Sequence, residues 1–590
     1  MAKNIANDAN YIEAARHSLS HVLAQAVCEL FDGVQLGIGP AIEDGLYYDF
    51  DLHHRITEDD FAAIEAKMNE ILKSDTVFEK RVVENPLDFF ANTPYKLELV
   101  KELVAAGEEI TVYESNGFVD LCAGPHVENM RELRNWGFKI SSIAGAYWRG
   151  NSDNPMLQRV YVHAFPSRKE LKEYYAFLEE AKKRDHRTLG NQLDLFFFDE
   201  TAPGMPYWMP KGMKIYNKLL EFSRKVHEAH GYQEVVGPQL NHSSLWVTSG
   251  HWEHYDDNMF KVQIDENNTY ALKPMNCPNA MILFKKKNRS YRDLPLRFSE
   301  LSHLHRNEAS GAMHGLMRVQ TFRQDDAHIF CTQEQIASEM NGIMDIMDFI
   351  YGIFGLKYTA VLSTRPESFL GDIETWNEAE AVLKNVLDTR FGAGEYIVDE
   401  GGGAFYGPKI DIKVYDALKR EWQLCTIQLD YQLAGNFELE YTDSDGKRKA
   451  PVVIHRAVFG SLDRFIGVIT EHFAARFPFW LAPVQVGIVP VHKDHERYAH
   501  DIREELVQQG FKSTLDTSDG TMGNKIKSYR NELVPYIIII GDKEVADGTI
   551  SLRVRTGTQI NGIPLSSFID ACKIMEQAYK IDLIENFDAD

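Results

Sequence analysis

The segment between Met317 and Phe330 is the feature that most limits how this chain can fold. Gly311 marks a loop before it, and from Met317 onward the residues predict one extended strand. Because strand side chains alternate between two faces, one face carries a polar and aromatic set. Its members are Arg318, Gln320, Phe322, Gln324, Asp326 and His328. Such a strand does not suit a hydrophobic core, so it lies either on a solvated outer face or along the wall of a cleft.

The cleft is the favoured interpretation because this face combines complementary groups. Arg318 and Phe322 suit an anion beside a planar ring, whereas Asp326 and His328 suit a cation or a metal ion. Groups of this kind rarely converge on one face without a function. The segment therefore predicts a binding site on a sheet.

The length of the chain, 590 residues, is too great for one hydrophobic core and predicts roughly three or four domains. No apolar stretch approaches a membrane span, and the N-terminus lacks the features of a signal peptide. The six cysteines have no disulfide-like spacing. We therefore expect a soluble cytoplasmic protein in a reducing compartment, with no membrane partner.

The net charge of −24 argues against a nucleic acid partner, because phosphate contacts need lysine and arginine. The last hundred-odd residues are acidic as well. Composition alone therefore predicts no RNA partner, and any such function has to be inferred from motifs.

Two histidines, His17 and His21, lie four residues apart on a helix predicted over about 11–31. They share the face opposite the apolar stripe, and an isolated pair of this spacing is most often solvated. About a hundred residues later, Cys122 and His126 lie where a predicted strand enters a turn. Three histidines and a cysteine could form a tetrahedral zinc site or a hydrolytic pocket, and the residues alone do not choose between them.

These elements resemble the editing domain of threonyl-tRNA synthetases, which hydrolyses mischarged seryl-tRNA. The resemblance is carried by HSLSH, DLCAGPH and AGAYWRGNSDNPMLQRVYVHAF. It implies a working editing site made of His17, His21, Tyr48, Lys96, Asp120, Cys122 and His126. The family usually has a small ubiquitin-like domain before this one. Since the chain begins about ten residues before the editing helix, we expect that domain to be missing.

Three further segments are similar to the motifs of class II synthetases. LHRNEASGAMHG, with Arg306 and Glu308, resembles motif 2, whose arginine bridges the ATP α-phosphate and the amino-acid carboxylate. GSLDRF resembles motif 3, in which Arg464 would meet the γ-phosphate. VVGPQL, around Pro238, resembles the dimer-interface motif 1 and implies a homodimer. Arginine suits these places because its planar fork grips carboxylate and phosphate, and no P-loop or GxGxxG signature competes.

Three residues far apart in sequence match the catalytic zinc ligands of the family: Cys277 in LKPMNCP, His328 in QDDAHIF and His455 in PVVIHRAV. Spacing alone would not predict a site, since a lone buried cysteine usually just packs. The resemblance implies one Zn²⁺ per subunit, with an open position for the amino and hydroxyl groups of threonine. Valine would then be rejected, whereas serine lacks only a methyl group, worth about 1–3 kcal/mol, and needs the editing site.

Other positions match the active site of the family. The resemblance implies that Asp326 accepts a hydrogen bond from the threonine hydroxyl, that Phe322 stacks on adenine, and that His251 takes part in amino-acid transfer. The remaining implied active-site residues are Gln324, Tyr406, Lys409, Thr426 and Gln428. The implied ATP contacts are Arg306, Glu308, Arg318, Phe322, Thr426 and Arg464. Two departures could reshape the edge of the pocket: MNCPNA replaces MNCPGH, and Leu424-Cys425 replaces Cys-Gly.

The region after Pro483 alternates strands and helices and resembles the class IIa anticodon-binding domain. Glu544 and Arg553 match positions that contact anticodon bases, and Asp519 stands where the family often has asparagine. We thus predict a multidomain α+β and α/β protein. Its predicted parts are an editing domain (1–166), a charged linker helix (167–187), a class II catalytic domain with an antiparallel sheet (188–482) and an α/β anticodon-binding domain (483–590).

The resemblance implies ATP-dependent formation of threonyl-adenylate, transfer to tRNA(Thr) and hydrolysis of seryl-tRNA(Thr). The implied partners are L-threonine, tRNA(Thr) and ATP, with Mg²⁺ expected from the class rather than from a motif. Two alternatives remain. A metal-dependent hydrolase or stand-alone deacylase would need only the first domain, and the retained Arg306, Arg318 and Arg464 argue against it. A synthetase-like binding protein without aminoacylation activity should have lost ATP or zinc residues.

Overall fold

The computed structural model describes residues 8–587. The chain divides into two compact units, Met1–Glu180 and Ala181–Asp590. Among the helices of the described part, none has the length and apolarity that a membrane crossing requires.

The first unit contains two antiparallel sheets and a long N-terminal helix. Its elements are α1 (Ala9–Leu30), β1 (Gln35–Leu36), β2 (Ala41–Ile42), β3 (Gly45–Asp51), α2 (Phe61–Ile71), β4 (Glu79–Val82), α3 (Pro86–Phe89), α4 (Pro94–Ala105), β5 (Thr111–Ser115), β6 (Phe118–Leu121), β7 (Gly137–Tyr147) and β8 (Met156–Phe165). The larger sheet has the order β1-β3-β8-β7 with β2 beside β3, and the smaller has the order β4-β5-β6. Helix α5 (Arg168–Arg184) leads into the second unit.

Helix α1 is buried around most of its circumference. Asp8 caps its first turn by accepting a hydrogen bond from the backbone N–H of Asn10. Leu19, Val22 and other apolar side chains join the core of the unit. His21, however, is only 3% exposed, so the interpretation of a solvated pair is wrong. The covering residues lie about a hundred positions later in the chain, which is why a helical wheel does not reveal them.

The second unit begins with the elements of a large mixed domain. These are α6 (His186–Gln192), β9 (Phe196–Phe197), β10 (Tyr207–Trp208), α7 (Pro210–Ala229), β11 (Gln233–Glu234), β12 (Leu240–His242), α8 (Ser243–Thr248), α9 (His251–His254), β13 (Lys261–Asp265), β14 (Asn268–Leu272), α10 (Cys277–Lys285), β15 (Arg289–Ser290), β16 (Leu296–Glu300), β17 (His303–His305), β18 (Thr321–Arg323), β19 (Asp326–Cys331), α11 (Ile336–Phe354), β20 (Lys357–Ser363), α12 (Ile373–Phe391), β21 (Ile397–Asp399), β22 (Lys409–Tyr415), β23 (Glu421–Asp430), α13 (Leu433–Asn436), β24 (Tyr441–Thr442), β25 (Arg448–Lys449), β26 (Val452–Ala457) and α14 (Leu462–His472).

An eight-stranded sheet organises this part of the chain, with the order β11-β16-β19-β26-β23-β22-β20-β21. All neighbouring strands are antiparallel except the two pairs at the edges. One face of the sheet packs into the main core through side chains such as Ile329, Ile454 and Ile427. Because side chains alternate along a strand, the residues between these project from the opposite face, where the candidate site lies.

The sequence predicted one continuous strand after Met317, but the structure divides this polar segment into two short strands. β18 pairs with β17 in a separate hairpin, and β19 lies inside the large sheet. The chain breaks between them because the carboxylate of Asp325 turns inward and accepts hydrogen bonds from the backbone N–H groups of Val458 and Gly460, at 3.0–3.1 Å. Two short strands therefore present the polar side chains to two adjoining pockets.

The C-terminal part forms a second α/β layer. Its elements are β27 (Val486–Pro490), α15 (Glu496–Gln508), β28 (Ser513–Leu515), α16 (Met522–Asn531), β29 (Tyr536–Ile540), α17 (Asp542–Asp547), β30 (Thr549–Val554), β31 (Gln559–Pro564) and α18 (Leu565–Gln577). The sheet order is β28-β27-β29-β30-β31. β27 is parallel to both of its neighbours, whereas β30 and β31 are antiparallel additions.

The buried ion pair of Arg456 and Asp325 provides a test of this fold. Both side chains are fully buried, so Arg456→Met leaves a carboxylate without its counter-ion and should lower the free energy of unfolding by about 3 kcal/mol. Arg448→Met removes the arginine of an exposed pair with Glu440 and should cost less than about 1 kcal/mol. Urea unfolding followed by tryptophan fluorescence measures both, and equal losses would contradict the packing described.

Candidate functional site

A cysteine and two histidines meet on the open face of the eight-stranded sheet. His328 of β19 and His455 of β26 are direct cross-strand partners, with ring centroids 4.8 Å apart. Cys277 is the first residue of α10. All three are buried, and one candidate ligand atom from each lies within 4.8 Å of the others. The structure thus brings together three residues that are separated by up to 178 positions.

The chemistry of this cluster fits a divalent metal ion. Nε2 of His455 lies 2.9 Å from Oδ2 of Asp430, so an Nε2–H donor leaves Nδ1 with the free lone pair. Burial, together with Asp326 and Asp430, raises the pKa of the Cys277 thiol well above its usual value. A bound cation reverses that penalty because it stabilises the thiolate. One sulfur and two imidazole nitrogens are ligands suited to zinc.

Asp430, which contacts His455, is a residue of the candidate site that the motifs did not indicate. It follows Thr426 and Gln428 at a spacing of two on β23, so the same periodicity could have found it. Asn276 was also missed; its side-chain amide donates to Asp326 Oδ2 at 3.0 Å. Burial raises the pKa of Asp326.

A row of side chains crosses the sheet beside the cluster of Cys277, His328 and His455. In register, His455 lies opposite Gln428, and Gln428 lies opposite Lys409. Lys409 forms an ion pair with Asp411, which the sequence motifs did not indicate as a site residue. Asp411 also accepts a 2.8 Å hydrogen bond from the hydroxyl of Thr426. These contacts fix the orientation of the predicted active-site residues on β22 and β23.

Tyr406 and His251 complete the surroundings of the cluster. The Tyr406 ring lies 5.7 Å from that of His455, and burial raises the pKa of its hydroxyl well above the usual value. Nε2 of His251 lies 3.9 Å from the Cys277 sulfur, and Nδ1 lies 2.8 Å from the hydroxyl of Ser249. Burial, reinforced by His455, lowers the pKa of His251 to about 4, so this imidazole is neutral at pH 7.

A cavity of about 440 Å³ adjoins the cluster and is lined by the six predicted ATP contacts, Arg306, Glu308, Arg318, Phe322, Thr426 and Arg464, together with the predicted active-site residue Gln324. The guanidinium of Arg306 lies 5.1 Å from the centre of the Phe322 ring. Arg318 forms a 2.7 Å ion pair with Glu308. The cavity therefore combines an aromatic wall with three cationic side chains.

Arg464, like Arg306, has no acidic partner among residues 8–587, whereas Arg318 is paired with Glu308. The Nε of Arg464 is buried without a hydrogen-bond acceptor, and burial, together with the positive charge of Arg318, lowers its pKa. Arg464 lies in the first turn of α14, where the helix dipole adds positive potential. This arrangement favours an anion in the cavity.

The first unit contains a second cavity, of about 400 Å³, lined by His17, His21, Tyr48, Lys96, Asp120 and Cys122. The Cys122 sulfur lies 3.5 Å from Nε2 of His17 and 3.2 Å from Nε2 of His126. The hydroxyl oxygen of Ser18, a residue that the motifs did not indicate, lies 3.0 Å from Nδ1 of His126. The structure thus joins both halves of the predicted editing set in one pocket.

A buried network borders this pocket. Lys96 Nζ lies 2.6 Å from Asp120 Oδ1 and 3.2 Å from the Tyr48 hydroxyl. Tyr48 donates a further hydrogen bond to Asp120. Nε2 of His21 lies 4.0 Å from the same carboxylate. Asp120 is therefore the common partner of a cation, a phenol and an imidazole.

Burial controls the protonation of the histidine–cysteine group. It lowers the pKa of His126 to about 2, with help from His21 and His17, and it lowers the pKa of His17. Burial raises the pKa of Cys122 to about 11. At pH 7 the group therefore consists of neutral imidazoles and a neutral thiol, which can exchange protons but carry no net charge.

The predicted anticodon residues lie in the C-terminal layer without converging on one cavity. Glu544 closes the first turn of α17 by accepting from the backbone N–H of Gly541, at 2.9 Å, and from the Ser551 hydroxyl, at 2.6 Å. Arg553 lies on β30, and its Nε is buried without a hydrogen-bond partner within the described part of the chain. Asp519 is almost fully exposed and pairs with Lys493 at 3.7 Å.

Three domain families match successive parts of the chain. The second additional domain of threonyl and alanyl tRNA synthetases matches residues 110–161. The class II core domain of the G, H, P, S and T synthetases matches 260–473, and an anticodon binding domain matches 485–574. The predicted three-part fold class is therefore confirmed.

Curated relatives decide the family. A threonine–tRNA ligase of Thermotoga petrophila is 46% identical over 97% of this chain and 89% of its own length. One from Caldanaerobacter subterraneus is 48% identical over 95% of this chain and 86% of its own. The chain belongs to the threonine–tRNA ligase family. The resemblance inferred from the motifs is thereby confirmed.

Solved structures agree with this family assignment. The RNA binding domain of a threonyl-tRNA synthetase from Cryptosporidium parvum has a TM-score of 0.64 and 42% identity, and it matches 68% of this chain and 100% of its own. A prolyl-tRNA synthetase from Giardia lamblia has a TM-score of 0.54 at 17% identity, matching 68% of this chain and 81% of its own. The latter similarity concerns the fold alone.

The raised pKa of Cys122 yields a measurable pH dependence. Because the thiol is neutral below about pH 10, its alkylation by iodoacetamide should be slow at pH 7 and rise about tenfold per pH unit towards pH 10. Mass spectrometry of the Cys122 peptide follows the reaction, with N-acetylcysteine as the reference thiol. A rate already maximal at pH 7 would instead indicate a thiolate held by a cation.

Proposed function

We propose that the chain activates threonine with ATP, transfers it to tRNA(Thr), and hydrolyses seryl-tRNA(Thr) at a second site. The observation that carries this proposal is the pairing of the Cys277–His328–His455 cluster with the adjoining arginine-lined cavity on one face of one sheet. ATP with Mg²⁺ is the nucleotide expected of the class II core.

In the activation step, a carboxylate oxygen of threonine attacks the α-phosphorus of ATP, and pyrophosphate leaves as the bond to the β-phosphate oxygen breaks. Arg306 orients the carboxylate and the α-phosphate, while Arg318 and Arg464 bind the leaving phosphates. The unpaired Nε of Arg464 supports this role because a buried guanidinium group needs an anionic partner. Phe322 supplies the aromatic wall for adenine.

Threonine is selected beside the metal cluster. Cys277, His328 and Nδ1 of His455 would hold one zinc ion, which supplies open coordination positions for the amino and hydroxyl groups of threonine. Asp430 orients His455, and Asp326 accepts a hydrogen bond from the substrate hydroxyl. Tyr406, Gln428 and Lys409 line the approach to this position, and Gln324 and Thr426 border the nucleotide.

Transfer and editing complete the cycle. A ribose hydroxyl of the terminal adenosine attacks the threonyl carbonyl, and AMP leaves. The neutral His251 imidazole lies close enough to the cluster to accept the proton of that hydroxyl. In the first unit, water attacks the ester carbonyl of seryl-tRNA, the bond from that carbonyl to the terminal ribose oxygen breaks, and serine leaves while the ribose oxygen takes up a proton. The neutral His17 imidazole accepts the proton of that water, while Lys96 and Tyr48 orient Asp120.

The proposal extends to a cytoplasmic homodimer that reads the anticodon of tRNA(Thr) with Glu544, Arg553 and Asp519. The motif 1 segment supports dimerisation because Val236 is 73% exposed and nearby α8 and α10 expose apolar side chains as well. Val247 is 60% exposed and Ile282 is 50% exposed. The buried, unpartnered Nε of Arg553 supports a polar partner at β30.

Pyrophosphate exchange tests the synthetase activity. We expect strong exchange with threonine, weaker exchange with serine and none with valine, and about one zinc ion per chain. Cys277→Ala should abolish both the zinc and the exchange. Cys572→Ala, which removes another buried cysteine far along the chain, should retain both. If no amino acid supports exchange while seryl-tRNA is hydrolysed, the chain is a deacylase instead.

Deacylation of preformed seryl-tRNA(Thr) tests the second site. His17→Ala should reduce the rate by about 100-fold, because the proton acceptor is lost, and should leave threonine-dependent exchange unchanged. The matched control is His163→Ala, which should retain deacylation. His163 lies on β8 and is hydrogen-bonded to the hydroxyl of Tyr175. Unchanged deacylation in His17→Ala would rule out the proposed base.

A further inference from the structure

A third group of acidic and imidazole side chains, formed by the half-buried Asp185 and the buried His186 and Glu471, lies outside both proposed sites. It is not a vacant metal site, because both nitrogens of the fully buried His186 are engaged. Nδ1 lies 2.6 Å from Oε1 of Glu471, and Nε2 accepts a 2.9 Å hydrogen bond from the backbone N–H of Leu316. The accepting Nε2 fixes the tautomer, since Nδ1 then carries the proton that is donated to Glu471.

The two partners of His186 belong to the two segments that carry the phosphate-binding arginines. Leu316 lies in the single turn 315–317, immediately before Arg318. Glu471 lies in the last turn of α14, and Arg464 lies in the first turn of the same helix. His186 is therefore a direct hydrogen-bonded bridge between the turn that presents one arginine and the helix that presents the other.

Independent features of the backbone allow this bridge. Gly315 has φ +52°, and a Cβ there would lie 2.2 Å from Nε2 of His186, so any larger residue would displace the imidazole. A Cβ at Gly467 of α14 would lie only 3.2 Å from Cβ of Leu316, so the turn is seated closely on the helix. Arg420 holds the other oxygen of Glu471 at 2.6 Å.

We infer that His186 is a positioning residue for ATP binding: its imidazole, hydrogen-bonded to Glu471 and to Leu316, fixes the separation of Arg318 and Arg464 across the nucleotide cavity. The inference rests on the proposed function of that cavity. It assigns a role in the active site to a residue of the segment that the sequence assigned to a solvated linker. His186 does not touch the nucleotide; it acts through the turn and the helix.

Two conservative variants separate the two hydrogen bonds. His186→Asn keeps an N–H near the position of Nδ1 and loses the acceptor for Leu316, whereas His186→Gln reaches the position of Nε2 and keeps that acceptor. We expect His186→Asn to raise the KM for ATP in pyrophosphate exchange about tenfold and to change the KM for threonine less than about twofold. His186→Gln should restore most of the affinity for ATP, because the backbone N–H of residue 186 still donates to Oε1 of Glu471, at 3.0 Å, and so keeps the link to α14.

The matched control is His495→Asn. His495 is also a buried histidine with both nitrogens engaged, by Asp542 at 2.9 Å and by the backbone N–H of His492 at 3.1 Å, but it lies in the C-terminal layer. This variant should leave the KM for ATP unchanged. Stabilisation of each variant by ATP in thermal unfolding gives a second readout that needs no catalysis.

Equal changes in the KM for ATP and for threonine in His186→Asn, or an equal loss of ATP affinity in His186→Gln, would overturn the inference. If the unaltered protein shows no exchange at all, the proposed function fails separately. ATP-dependent stabilisation then still tests the bridge, because it is expected in the unaltered protein and in His186→Gln and is weakened in His186→Asn.

Discussion

The antiparallel register of β19 against β26 is the constraint on which the rest of the catalytic part depends. With His328 opposite His455, the two imidazoles share the open face of the sheet. The neighbouring pair, Ile329 opposite Ile454, points to the other face and enters the core. A slip of one residue would exchange these faces, because the side-chain period of a strand is two. The apolar core therefore enforces the geometry of the polar cluster, and the proposed metal ligands need no local sequence spacing.

Desolvation is the electrostatic property that the two proposed sites share. Burial is the main cause of the lowered pKa of His126 and His328, so both imidazoles keep a lone pair available at pH 7. The sites differ in their carboxylates. The negative charge of Asp120 is balanced by Lys96. Asp430 instead accepts a hydrogen bond from His455, which lies beside a thiol that burial keeps protonated. The first arrangement suits proton transfer without an ion, and the second suits a cation.

The sequence predicted the three-part fold class and the family because their motifs are local and chemically distinctive. It was wrong about the continuous strand after Met317, and the spacing of His17 and His21 alone favoured a solvated pair where the structure buries His21. In both cases the deciding contacts come from distant residues: a strand a hundred positions away covers His21, and Asp325 reaches the backbone of Val458. Asp411 and His186 were missed for the same reason, since their importance lies in the tertiary contacts they make, whereas Asp430 continues the spacing of Thr426 and Gln428 on β23 and could have been found.

X-ray absorption at the zinc edge tests the central claim, that one cysteine and two histidines on this sheet form a substrate-selecting metal centre. The purified protein should give one sulfur scatterer at about 2.3 Å and two nitrogen scatterers at about 2.0 Å. Added threonine should increase the number of light-atom ligands, whereas valine should leave the spectrum unchanged. A spectrum without sulfur, or one that responds equally to both amino acids, would contradict the account.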